Sequence, residues 1–279
     1  MTPDLRIHQG LLTSDRRGVR VVASSEDFPT PDAERIVVLF GSRPEGVACP
    51  RAHFACPIGK GQVAIVQVAD QHLAGSSETA LAFRFLVMSR GLYQHLGDPF
   101  AIADRYPPAW TVTGTLPDLD WPMEVLPPRK VEDVDHALKT GDSGLLLGGV
   151  QALVDGNHLL IQRDGPDENL VRNLWLLLPT RTRRDLWPAS FAFSNELGFH
   201  AVVLPTVPTK LGYTDLTEEQ ARDFPSSRYE LNLQIAAESG DQAELDRLFE
   251  RRTSQETLRL GVGMVIAALA TAAVFKFLL

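Results

Sequence analysis

The chain has 279 residues, enough for one large unit or two small ones with real cores. Its 44% hydrophobic and 22% charged residues are those of a globular protein, and a net charge of -8 argues against a dedicated nucleic-acid binder, which shows a basic balance or patch. The opening Met1–Gly10 has no basic region followed by an apolar one, so no secretory signal is expected, and Cys49 and Cys56 are expected as free thiols of a reducing compartment.

In chain order, "DLRIHQGLL" and "GVRVVASS" are rich in β-formers around the polar turn Ser14–Gly18 and predict a hairpin. "TPDAERIVVLF" predicts a helix with Thr30 as N-cap and Pro31 in its first turn. "RAHFACPI" and "QVAIVQVAD" predict two strands around Gly59-Lys60-Gly61. "ALAFRFLVMS" fits a strand or a buried helix, and periodicity does not decide between them. "RGLYQHLGDPFAIADRYPP" predicts two short helices broken at Gly97-Asp98-Pro99. Pro107, Pro108, Pro117, Pro122, Pro127 and Pro128 then mark a connector, ordered in part by Trp110 and Trp121.

Beyond it, "VEDVDHALK" and "GLLLGGVQALVD" predict helices, "NHLLIQR" a strand, "DENLVRNLWLLLP" a helix, and "SFAFS" and "FHAVVLP" short strands. Thr217 with Gln220 has the spacing of a capping box, Asp241 with Glu244 resembles one, and Gly240 is a helix terminator, so three short helices are expected. The fold class expected is α+β: a mixed or antiparallel sheet with helices over 1–106, the connector over 107–130, a second small α+β unit over 131–208, a helical stalk over 209–257, and one transmembrane helix over 258–279.

That last expectation rests on Leu258–Leu279. From Leu260 to Phe275 no residue is charged, and a helix of about 30 Å at ~1.5 Å per residue matches the hydrocarbon core of a bilayer. Lys276 can snorkel to the far interface, and Arg251, Arg252 and Arg259 put the near side in the cytoplasm by the positive-inside rule. The expected location is a membrane, with the globular part cytoplasmic. A fully buried core helix is the alternative. Gly263, Ala267 and Thr271 recur every fourth residue, a spacing that lets two membrane helices approach and self-associate.

Four residue groups bear on chemistry. Gly141-Asp142-Ser143-Gly144 has the sequence around a serine-protease nucleophile, but Leu145 follows in place of Gly-Pro and no matching histidine context precedes it; Asp142 or Ser143 as a helix cap is the simpler role. Cys49, His53 and Cys56 have zinc-type donors but lack a fourth ligand nearby, and buried cysteines are the simpler reading. Arg181, Arg183 and Arg184 beside Trp187 form a candidate partner surface, against a solvated turn whose tryptophan lies in the core. No GxGxxG follows a strand and no GxxxxGK[ST] occurs, so no nucleotide cofactor is expected.

"IHQGLLTSDRRGVRVVASSEDFP" resembles the N-terminal strand-turn-strand of the bacterial GTPase-associated proteins, with Ser-Asp-Arg-Arg-Gly in place of their aromatic, Asp-Gly turn. "NLWLLLPTRTRRDLWPASFAFSNELGFHAVVLP" is similar to a later segment of theirs. The resemblance covers about a third of the chain and implies a non-catalytic adaptor working with a GTPase; it assigns no functional residue. The function expected is therefore a membrane-anchored cytoplasmic interaction protein whose partners are the lipid bilayer and a protein, with no nucleic acid and no catalytic site. A serine hydrolase using Ser143 and a metal-stabilised binding module are the alternatives.

Overall fold

The computed structural model describes residues 4–72, 79–225 and 228–251. Among these, eleven strands form one mixed sheet within an α+β fold. Strands β1 (Arg6–Asp15) and β2 (Gly18–Ser24) are the expected hairpin, and Gly18 takes φ +115°, which a side chain would strain. Helix α1 (Thr30–Leu39) follows. Thr30 is its first residue and not its cap: Pro29 holds the cap position, with no side-chain bond to the helix.

Strands β3 (Ala52–Ile58) and β4 (Gln62–His72) turn at Gly59–Gly61 as expected, and β5 (Thr79–Ser89) resolves the ambiguous run as a strand. The ambiguity has a physical cause: β5 is buried on both faces and so shows no alternation. Helices α2 (Arg90–Leu96) and α3 (Pro99–Arg105) break where expected. Ser89 caps the first through the Leu92 N–H, Gly97 ends it at φ +65°, and Asp98 caps the second through the Phe100 and Ala101 N–H groups.

Within 107–130, β6 (Gly114–Thr115) adds to β2, and β7 (Leu119–Asp120) takes the edge of β1 that β2 leaves open at Arg6–Ile7. Then come α4 (Val131–Thr140), α5 (Ser143–Val154), β8 (His158–Gln162), α6 (Glu168–Leu177), α7 (Thr180–Arg183), β9 (Pro188–Ala189) and β10 (Ala201–Leu204). The strand predicted at "SFAFS" is not formed. Its residues continue from β9 with irregular bonds, Ala192 N–H to Val203 C=O and Phe193 N–H to Phe40 C=O, while Phe191 packs in the core. Strand β11 (Asp215–Thr217) leads into α8 (Glu218–Arg222), whose capping box is the predicted pair Thr217 and Gln220. Helices α9 (Arg228–Ser239) and α10 (Gln242–Phe249) complete the described chain, with Gly240 at φ +68° between them and Asp241 capping α10.

The strand order is β11-β8-β10-β9-β3-β4-β5-β1-β2-β6. From β9 to β2 the neighbours are antiparallel; from β9 to β11 they are parallel. The strands of 131–208 thus extend the sheet of the first hundred residues. Helices α9 and α10, expected as a stalk, lie on the body: Tyr229, Leu233, Leu245 and Phe249 join the core, and the Tyr229 hydroxyl donates to Leu177 C=O at 2.6 Å. Helix α5 is apolar except for Ser143 and Gln151, whose amide donates to Asp155, and is buried from Leu145 to Leu153, as such a helix must be in water. Gly148 makes this possible, because a Cβ there would lie 2.0 Å from the Ala221 carbonyl oxygen of α8. No helix among the described residues is long and apolar enough to cross a membrane. The transmembrane helix expected at 258–279, with Leu260, Gly263, Ala267, Thr271 and Lys276, lies outside the described residues.

Candidate functional site

The antiparallel register sets His53 opposite Gln67 and Gln67 opposite Arg84, so β3, β4 and β5 carry a polar row straight across one sheet face. Gln9 of β1 extends it diagonally. All four are buried, between 2% and 7% exposed, so their bonding must be nearly complete. The Arg84 guanidinium donates to Gln9 Oε1 at 2.6 Å, to Gln67 Oε1 at 3.3 Å and to Tyr106 C=O at 3.1 Å. Gln9 donates onward to Pro117 C=O at 2.7 Å, and Gln67 to Ala103 C=O at 3.3 Å. Because Gln67 gives its carbonyl oxygen to Arg84, its amide nitrogen faces His53 Nε2, 3.4 Å away. This assigns the imidazole proton to Nδ1, which lies 3.2 Å from Glu168 Oε2 but off the line of a hydrogen bond.

Glu168 opens α6 and ends the row. Burial alone would raise its carboxyl. The His53 and Arg172 contacts outweigh burial and bring it down to about 2. Arg172, one helical turn on, bonds Glu168 and grips Asp104 of α3 with two bonds of 2.8 Å. The row therefore ties three elements to the sheet: α3, α6 and the segment after α3.

That segment is a strap. Tyr106 C=O and Pro117 C=O receive the row's bonds, the Leu116 N–H bonds Ser24 C=O, the Trp121 N–H bonds Leu5 C=O, and the Trp121 indole bonds Glu124 C=O at 3.0 Å. The Arg105 guanidinium lies 5.2 Å above the Trp121 ring. At its end Arg129 bonds Leu176 C=O, Leu178 C=O and Thr180 Oγ1, with Phe249 against its other face; burial lowers its pKa to about 9. Between these fixed points Met123 and Val125 stand 85% and 75% exposed. Val125 borders a groove of about 420 Å³ that also touches Leu126, Pro127, Asp98 and Phe249. Two further cavities of about 270 Å³ flank the strap at Pro107, one reaching Arg84 and Gln9, the other His53, Gln67 and Trp110.

The residues singled out in the sequence fall elsewhere. Ser143 is the exposed first residue of α5. Its neighbour Asp142 caps the helix through the Leu145 N–H and pairs with Arg222 at 2.6 Å. Cys49 and Cys56 are buried, and burial pushes each thiol up to about 12, with Asp70 adding to the effect at Cys49 and Arg43 opposing it. His53 and Cys56 project from opposite faces of β3, and no cluster of three or more metal-ligating side chains occurs among the described residues. Arg183 is buried and bonds Gly97 C=O and Asp98 Oδ2, while Trp187 is buried and stacks on Tyr93 at 5.5 Å. Two of the four residues of that expected partner surface are thus interior; Arg181 and Arg184 remain half-buried.

Sequence reasoning missed the polar row. Its signal was one polar residue inside each of three apolar runs, and a hairpin centred on Lys60 already sets His53 opposite Gln67. No protein-family model, no curated protein and no solved structure matches the chain.

Proposed function

We propose that the protein is a non-catalytic interaction protein, held at a membrane by 258–279, that docks a protein partner on its strap. The exposure of Met123 and Val125 on a segment fixed at both ends carries this reading. Large apolar side chains held out on a rigid backbone lose little entropy on binding and bury well. The resemblance of the N-terminal hairpin to the GTPase-associated proteins supports a GTPase as the partner's class.

Two experiments test the reading. Full-length protein in mild detergent is used to capture partners from its own cells in GDP or in a non-hydrolysable GTP analogue. The expected result is a GTP-binding protein whose retention depends on the nucleotide and is lost in the double variant Met123→Asp, Val125→Asp. Retention unchanged by that variant would overturn the strap as the docking site. For the anchor, fractionation should find the full chain in membranes and 1–257 in the soluble fraction. Each central Leu, Ile, Val or Phe favours insertion by roughly 0.3–0.6 kcal/mol and a central Lys opposes it by about 2.5–3.5, so Ala268→Lys should weaken insertion while Lys276→Ala should not. A full-length chain found in the soluble fraction sinks the anchor.

A further inference from the structure

The buried arginines of this protein are not treated alike. Arg183 meets the Asp98 carboxylate at 2.6 Å. Arg129 meets the carbonyls that end α6, where the helix dipole is negative, and lies over an aromatic face. Arg84 has only neutral acceptors: two amide oxygens and one backbone carbonyl. Its three bonds use three of the five N–H groups a guanidinium carries, leaving two without a partner among the described residues. Burial lowers its pKa only to about 10, so it stays charged at neutral pH. A buried charge without a counter-charge is costly.

Arg84 also lines a cavity of about 270 Å³ between the sheet and the strap. Gln9 and Arg105 line it with Arg84, and Arg105 is paired with Glu124 at 3.4 Å, so the charge without a partner is that of Arg84. The remaining wall is apolar, formed by Leu11, Pro107, Val112, Leu116 and Leu119 among others. Water filling the space would satisfy donors but not neutralise the charge. A carboxylate would do both, because its two oxygens match two parallel N–H groups of a guanidinium. Phosphate is a poorer fit, since the apolar wall offers nothing to its further oxygens.

We propose that this cavity binds a small organic monocarboxylate with an apolar body, its carboxylate on Arg84 and its hydrocarbon against Leu11, Val112, Leu116 and Leu119. The proposal is independent of the docking reading and is measured differently.

The probes are butanoate, pentanoate and hexanoate, the matching alcohols, and inorganic phosphate, titrated by saturation-transfer NMR into full-length protein in a non-ionic detergent. Binding of each ligand is read as the difference between wild type and Leu116→Trp, so detergent partitioning, common to both proteins, drops out of every comparison. The acids should bind saturably and gain about fourfold in affinity per methylene until the cavity is full. The alcohols should bind at least about tenfold more weakly, having no charge for Arg84. Arg84→Gln should abolish the preference for acids. If that variant does not fold, Leu116→Trp fills the cavity from the strap without touching the polar row and should abolish acid binding on its own. Equal binding of acids and alcohols, acid binding that survives Leu116→Trp, phosphate competing on equal terms with hexanoate, or no saturable acid binding would each overturn the proposal.

Discussion

The two faces of β3, β4 and β5 are built from alternate residues of the same three strands and work by different physics. One face carries Phe54, Phe83 and Phe85. Phe40, at the end of α1, stacks on Phe54 at 5.4 Å and meets Phe83 edge-on at 5.3 Å, while Phe28 meets Phe85 at 5.8 Å. Gly10 admits the Phe28 ring there, since a Cβ would lie 2.2 Å from it. The other face carries His53, Gln67 and Arg84 and is covered by α3 and the strap. The aromatic face gains from contact area and tolerates small shifts. The polar face gains little net from each bond and loses much from any bond left unmade. The first supplies stability; the second fixes where the strap lies.

Phe40→Ala should have the largest effect on stability, about 3–5 kcal/mol by chemical denaturation, because it leaves a cavity among Phe54, Phe83 and Phe193. Met123 and Val125 should stay as exposed as before. An equal loss of strap order would break the division of labour between the faces.

Glu168→Gln comes next. The folded carboxyl titrates at about 2, below its ordinary 4.5, so its contribution is present in full above about pH 4.5 and is lost as pH falls towards 2. About 1.4 kcal/mol accompanies each pKa unit, and with solvent screening of this partly exposed group on the order of 2 kcal/mol rests on it. The variant should flatten the stability curve across that acid window. His200 marks a separate window on the parallel half of the sheet. Burial, with His158 beside it, lowers His200 from 6.5 to about 4. Its contribution is full above about pH 6.5 and is lost as pH falls towards 4, and His200→Gln should remove that part of the curve alone. Superimposable curves for the two variants would show that the windows are misassigned.

Gln67→Leu should cost ~1–3 kcal/mol by leaving the Ala103 carbonyl and one Arg84 donor unpaired. It should also speed protease cleavage at the strap, which an equally destabilising change on the aromatic face should not do. The smallest effect on stability is expected for Met123→Asp with Val125→Asp, within ~0.5 kcal/mol, as both side chains are exposed. A larger loss would mean that these residues pack somewhere and are not presented.

Part of this arrangement is legible in the amino-acid sequence. Local chemistry was legible: the turn before Gly18, the Lys60 hairpin, the Gly97-Asp98-Pro99 break, the Thr217 box and the Gly240 stop all depend on a few adjacent residues. Pairings between distant segments were not. The β4–β5 register that sets Gln67 opposite Arg84 follows only once Thr79–Ser89 is known to be a strand, although Gly75-Ser76 stands at its centre. Nor did β5 show its type, because Arg84 is buried within it and both of its faces are covered. Helix α5 adds a lesson about apolarity. Its 12 residues are mostly apolar, and Leu145–Leu153 are buried in the body, so length, and not apolarity alone, separates such a helix from a membrane span. The irregular run after β9 escaped because its backbone bonds are made to Phe40 and Val203, far off in sequence.

The two halves of the sheet meet at β9, which is two residues long and pairs with β3 through Phe54 and Ala189 alone. Beside this narrow backbone joint, guanidinium groups cross from one half to the other: Arg172 to Asp104, Arg183 to Asp98 and to the Gly97 carbonyl. The seam is therefore held by side chains, these ion pairs and aromatic contacts such as Phe54 on Phe199 and Tyr93 on Trp187, where the rest of the sheet is woven from peptide bonds. Dilute denaturant should loosen it first, letting amides on either side exchange with deuterium as two blocks while each half stays closed.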